Sequence, residues 1–161
     1  MQRLTYIVLI LALSGCGFFE RTVDPPLRSA VYRFETRYNT TIQFPVLVVD
    51  DSRIKEINAS DDPVGRCYHF PTRVFISRKV IEEPRDNVSQ PKRIEALVFH
   101  ELGHCQFHLG HDPSMMPIGR RISIPASLMH STTPVGHYPD REQYYREELE
   151  EKINKHRSGD E

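Results

Sequence analysis

The twelve residues from His100 to His111, HELGHCQFHLGH, carry the side chains of this chain best suited to hold a metal and move a proton. His100 and His104 stand four apart, with Glu101 between them. Residues at that spacing on an α-helix lie about 6 Å apart along the axis and on nearly the same face, so two imidazoles can close on one ion. That is half of a tetrahedral zinc site. Glu101, about 100° further round the helix, falls beside the position the ion keeps open, where a carboxylate can take a proton from bound water. His111 is the candidate third ligand. In a chain with 8 histidines among 161 residues the five-residue pattern also arises by accident in roughly a few of a hundred sequences, so its context must support it.

The context is a predicted helix. Ser89, Gln90 and Pro91 read as a capped start with proline in the first turn, and Ile94, Leu97, Val98, Leu102, Cys105 and Leu109 recur at helical spacing. Gly110 suits a left-handed helix stop that would swing His111 back toward the metal. His108 continues the same face, but it lies about 9 Å in rise from the midpoint of the first two histidines, too far for a zinc–nitrogen bond of about 2 Å, and is read as a surface residue or one that supports a ligand from outside. Asp112 and a glutamate of the last helix, such as Glu148, are the rival third ligands.

These residues resemble the zincin metallopeptidases, which share the His-Glu-x-x-His helix, and among them the metzincins, which add a glycine turn, a third histidine and a later methionine-containing turn beneath the metal. The match is partial: the metzincin third histidine follows six residues after the second, and here His111 follows seven after His104, with Phe107 at the usual glycine position. HELGHC with a histidine seven residues on is closer to a group of small bacterial and phage metallopeptidases in which a Ser-aliphatic-Met segment follows, matched by Ser127, Leu128 and Met129. The resemblance spans about the second half of the expected mature chain and is strongest from Ile94 to Met129. It implies Zn2+ as cofactor, a peptide or protein substrate, and Met129 as the hydrophobic floor of the site. His130 and Tyr138 become candidates for a group that steadies the oxyanion, as a tyrosine does in some relatives.

A second signal lies at the N-terminus. Arg3 precedes an apolar run, Tyr6 to Leu13, long enough for a signal-peptide core and too short to span a bilayer as a mature helix. Leu13, Ser14, Gly15 and Cys16 resemble the lipobox of bacterial lipoproteins, which implies cleavage before Cys16 and lipidation of its thiol, a membrane anchor without a spanning helix. Gly17 resembles the second residue of lipoproteins sorted to the outer membrane, facing the periplasm. The expected organisation is a signal peptide over 1–15, a lipidated tether over 16–26 and one metallopeptidase domain over 27–161. A formal net charge of −1 gives no reason to expect nucleic acid as a partner. With Cys16 lipidated, Cys67 and Cys105 remain as an even pair, most simply a disulfide in an oxidising compartment, with two buried thiols as the alternative.

The elements that must position the site follow from periodicity. Leu27 to Tyr38 is expected to be helical with Val31, Phe34 and Tyr38 on one side; Phe44 to Val49 and Arg73 to Ser77 are expected strands, with a loop around Asp61 to Gly65 between them. His111 to Met129, rich in proline, serine and glycine, is expected to form an irregular wall of the cleft. Asp140 to His156 reads as a closing helix with Tyr144, Leu149 and Ile153 inward. The fold class is therefore α+β, a small twisted sheet packed with helices and crossed by the metal helix. The zincin resemblance adds an edge strand that holds an extended substrate, with Val74 to Ser77 as the candidate. The expected chemistry is hydrolysis of a peptide bond, with Glu101 as base and then acid. The alternative is a lipid-anchored binding module of the envelope in which zinc only stiffens a surface.

Overall fold

The computed structural model describes residues 21–55, 64–83 and 89–159. The expected signal peptide, Cys16 and the first part of the tether lie outside them. The described chain is mixed α+β. A short 3-10 turn, Pro25–Leu27, leads into helix α1 (Arg28–Arg37), strand β1 (Val46–Val49) and a short helix α2 (Asp51–Lys55). Strands β2 (Gly65–His69) and β3 (Thr72–Ser77) form a hairpin, followed by a short helix α3 (Arg78–Glu82) and the long helix α4 (Gln90–Phe107). A second hairpin, β4 (Met115–Ile118) and β5 (Ile122–Pro125), precedes a 3-10 turn and the closing helix α5 (Glu142–Ser158).

The main sheet runs β1-β3-β2. β1 is parallel to β3, with Val46 opposite Val74, and β2 is antiparallel to it, with Cys67 opposite Val74. β3 is thus central, and the expectation that Val74 to Ser77 forms a substrate-binding edge is overturned: both sides of that strand are already hydrogen-bonded. The outer side of β1 is closed as well. Val23 bridges to Val46, the Val46 N–H donates to the Thr22 carbonyl at 2.8 Å, and Asp24 accepts the Val48 N–H at 2.7 Å. Residues 22–24, expected as tether, are therefore part of the fold. Among the described residues the side of the sheet that stays open belongs to β2, a strand the sequence did not signal, because GRCYH has no apolar alternation.

Helix α4 passes under this sheet and is buried on almost every side, since α1, α5 and strands β2 and β3 all pack on it. Burial extends beyond the expected stripe to Glu95, Ala96, Phe99 and Phe107. Its start is capped by backbone only: the Ser89 carbonyl accepts from Lys92 and Arg93, and the Ser89 side chain makes no capping bond. Phe34 of α1 stacks edge-on against Phe99 at 5.2 Å and against Tyr38 at 4.8 Å, making an aromatic core between the two helices. α5 closes the opposite flank through Tyr145, Leu149 and Ile153. Tyr144, expected inward, is 41% exposed, and its neighbour Tyr145 takes the buried place with its hydroxyl on the Pro125 carbonyl. Among the described residues no helix is long and apolar enough to cross a membrane.

Candidate metal centre

Helix α4 ends earlier than its glycine implied. His108, not Gly110, adopts the left-handed conformation, φ 54°, with its N–H on the His104 carbonyl and the Leu109 N–H on that of Gly103. The His108 ring, turned out of the helix, stacks on His69 at 5.3 Å and takes no part in the centre. The early stop has a consequence for His104: it brings the Leu109 carbonyl 2.6 Å from Nδ1 of that imidazole. Gly110 is neither left-handed nor crowded, so the return of the chain to His111 follows from the His108 stop and not from a glycine requirement.

The ligand atoms of His100, His104 and His111 lie within 4.8 Å of one another. The ring centroids of His100 and His104 are 4.6 Å apart, and that of His111 is 4.7 Å from His104 and 5.5 Å from His100. Nδ1 of His100 is 2.8 Å from the Leu128 carbonyl, as Nδ1 of His104 is 2.6 Å from that of Leu109. A carbonyl only accepts, so in each ring the hydrogen sits on Nδ1 and Nε2 presents a bare lone pair. These two Nε2 atoms face each other at 3.0 Å. Burial holds both rings neutral: His100 is pushed down to about 3 by desolvation, with the neighbouring His104 adding to it, and His104 is lowered for the same first reason. Two opposed lone pairs without a proton between them repel, and a cation between them removes the conflict. Around a tetrahedral zinc with bonds of about 2.0–2.1 Å, neighbouring nitrogens stand about 3.3 Å apart, close to the observed separation. The three imidazoles therefore fit a zinc ion, with the carbonyls of Leu128 and Leu109 fixing ring orientation as outer partners commonly do.

Glu101 leaves α4 on the side facing β2 and is buried. Desolvation raises its pKa to about 8, opposed in part by a hydrogen bond from the Cys67 backbone and by the Arg66 charge. The contact with β2 is tight. A β-carbon at Gly65 would come within 2.8 Å of Glu101 Oε1. The Val64 carbonyl bonds to β3 through Ser77 N–H, so by strand alternation the main-chain groups of Gly65, Cys67 and His69 face the open side, where Glu101 lies. Cys67 and Cys105 are joined as a disulfide, with Cα atoms 5.5 Å apart, which ties β2 to α4 one turn beyond Glu101.

Met129 is fully buried and packs on α4 at Gly103, between the two helical histidines. The loop it belongs to is tightly tied: Met129 N–H donates to Ser127 Oγ at 3.0 Å, and its carbonyl accepts the Asp112 N–H at 3.0 Å. His130 sits beyond it, near enough that its charge bears on His100, with Nδ1 accepting from Thr132 N–H. Tyr138 is not brought to the centre. It is fully buried, and its hydroxyl donates to Glu95 Oε1 at 2.7 Å, in a network where Arg146 binds the same carboxylate and Arg33 pairs with its other oxygen. Burial works against the Glu95 charge, but Arg146, Tyr138 and Arg33 together hold its pKa below the ordinary value. The rival ligands are also engaged elsewhere: Asp112 pairs with Lys152 at 2.6 Å, and Glu148 accepts the Leu128 N–H at 3.1 Å. The expected irregular wall contains the β4–β5 hairpin, unsignalled because proline occurs in both of its strands.

Comparison of the chain with protein-family models, with curated proteins and with solved structures returned no match in any of the three.

Proposed function

We propose that the protein is a zinc-dependent metallopeptidase of zincin type that hydrolyses peptide bonds at the surface of an envelope membrane. The observation that carries this reading is the pair of Nε2 atoms of His100 and His104, facing each other as lone pairs at 3.0 Å with His111 closing the third side. When bound, zinc supplies Lewis acidity toward the scissile carbonyl and lowers the pKa of water. Glu101 is the base that takes a proton from the attacking water and returns it to the leaving amine. Its burial favours this role, because a desolvated carboxylate holds a proton more readily than an exposed one. The open side of β2 is the surface along which an extended substrate adds by main-chain pairing, above the helix that carries Glu101. Met129 forms the floor. His130 remains beside the centre as the candidate for steadying the oxyanion, whereas Tyr138 serves the interior. The lipobox-like Leu13 to Cys16, outside the described residues, supports a lipid anchor, and Gly17 supports the outer membrane facing the periplasm. The Cys67–Cys105 bridge suits such an oxidising compartment.

The test is metal analysis of the purified protein together with cleavage of a broad peptide library by wild type and Glu101→Gln. The expected outcome is one zinc per chain in both, with turnover reduced about 10²- to 10⁴-fold in the variant. Absence of zinc from the wild type, or undiminished turnover in Glu101→Gln, would overturn the proposal; zinc without turnover in either protein would favour the binding module.

A further inference from the structure

We infer that Glu148 and Lys152, one turn apart on α5, are positioning residues of the metal centre, although neither belongs to the histidine motif nor touches its ligands. The inference rests on the zinc reading above. Two of the supports of the centre come from loops, not from α4. One is the Leu128 carbonyl that fixes the His100 ring, and the other is the segment that delivers His111. α5 grips both. Glu148 Oε2 accepts the N–H of Leu128 at 3.1 Å, and the same carboxylate takes the Ser127 hydroxyl. Leu128 is thus held from its nitrogen by Glu148 while its oxygen, 2.8 Å from Nδ1, sets His100. One turn on, the Lys152 ammonium lies 3.3 Å from Glu148 Oε1 and 2.6 Å from Asp112 Oδ2, and Asp112 is the residue directly after His111. Asp112 closes the circuit by donating its N–H to the Met129 carbonyl.

The geometry makes this more than a surface ion pair. An exposed pair contributes little because its partners are solvated and free to part. Here Ser127, Leu128 and Met129 are buried, and the Glu148 side chain is only 16% exposed. Burial pushes the Glu148 pKa up, against the bonds from Ser127, Leu128 and Lys152. A carboxylate desolvated at that cost, with Oε2 on the Leu128 N–H and Oε1 beside the Lys152 ammonium that holds Asp112, fixes the separation between the Leu128 carbonyl and His111. A metal that needs all three imidazoles at once senses that separation directly. Outer partners of metal-binding histidines typically alter affinity when lost.

The test is a zinc titration of the metal-free full chain by chelator competition, with the visible absorption spectrum of the Co2+-loaded protein as the report on ligand geometry. Glu148→Ala is expected to weaken zinc about tenfold or more and to alter the Co2+ bands. Glu148→Gln, whose amide oxygen still accepts the Leu128 N–H, is expected to recover most of that loss. Lys152→Met and Asp112→Asn are expected to weaken zinc several-fold by freeing the His111 segment, and they carry the test should Glu148→Ala fail to fold. If the folded variants keep wild-type zinc affinity and an unchanged Co2+ spectrum while only their melting temperatures fall, Glu148 and Lys152 are merely structural and the inference is overturned. A wild type that binds neither ion is a different failure, and removes the metal reading itself.

Discussion

The sulfur of Met129 occupies the space where a β-carbon of residue 103 would be: a methyl group built on Gly103 would lie 2.6 Å from Sδ and 3.1 Å from Cε. Gly103 lies on α4 between His100 and His104, so this contact seats the methionine loop directly beneath the two imidazoles. The loop in turn carries the Leu128 carbonyl that orients His100. Helix, methionine and ligand are therefore one packed unit. Gly103→Ala is expected to destabilise the protein by about 1–3 kcal/mol, the usual cost of overpacking a filled core. In a double-mutant cycle by urea unfolding, Met129→Ala should relieve part of that cost, so that the double variant loses less than the sum of the two single losses. Full additivity would show that the contact is not shared.

Gly65 stands in the same relation to Glu101 on the other side of the helix. A β-carbon there would meet Oε1 at 2.8 Å and Cγ at 3.0 Å, so Gly65→Ala must either lift β2 or turn the carboxylate. The histidines lie on a different face and are not touched. Zinc content is expected to stay at the wild-type level while turnover falls by about tenfold or more, since small misplacements of a reacting group are costly. Equal turnover in Gly65→Ala would place the working position of Glu101 away from β2.

The metal-free protein should be most stable near pH 6.5, for reasons of opposite sign. His100 titrates at about 3 in the fold, well below its ordinary 6.5, because burial and the neighbouring His104 disfavour its charge. Its contribution is complete above pH 6.5 and is lost as pH falls below that value toward 3, at up to about 1.4 kcal/mol per pH unit. His104 acts in the same direction. Glu101 is raised by burial from 4.5 to about 8, so its contribution is complete below pH 4.5 and is lost as pH rises from there to 8. Between 4.5 and 6.5 the two histidines oppose Glu101 and Glu148, which burial also raises, and above 6.5 Glu101, with the larger shift, carries the decline. Chemical denaturation of metal-free wild type and Glu101→Gln across pH 5 to 9 checks this: the variant is expected to lose the decline on the alkaline side. A decline of equal size in both would assign it to other groups.

How much of this was legible beforehand depends on how local each signal is. The three converging histidines, the helix that carries two of them and the Cys67–Cys105 pair could be read from spacing and from the cysteine count, because the histidines lie within one helix and its first turn outward. What was missed depends on partners distant in sequence. Tyr138 could be suspected near the metal only because its partner Glu95, 43 residues away, could not be seen. Glu148 looked like a rival ligand for the same reason, until Leu128 claimed its oxygen. β2 is a strand because β3 pairs with it, not because its own residues alternate. The helix stop moved from Gly110 to His108 because the Gly103 and His104 carbonyls were open to the next two N–H groups, a bond that outweighs the modest cost of a left-handed histidine.

The Glu95 network gives the last prediction. Glu95 is fully buried beneath the aromatic core, yet it remains charged because Arg146 and Arg33 approach from α5 and α1 and Tyr138 donates to it. Each oxygen has a cation, so the three helices are joined at one carboxylate. Removing the central cation strands the charge: Arg146→Ala is expected to cost about 3–5 kcal/mol, as the loss of one partner of a buried pair does. Replacing the whole set is different in kind. A buried ion pair exchanged for apolar residues of similar volume is often neutral or better, so Glu95→Leu combined with Arg146→Met, Arg33→Met and Tyr138→Phe, which leaves no partner of the carboxylate stranded, should be markedly less destabilised than Arg146→Ala alone. Urea denaturation of the two proteins decides it. If the full replacement is the worse of the two, the network contributes net stability and does not simply balance its own desolvation.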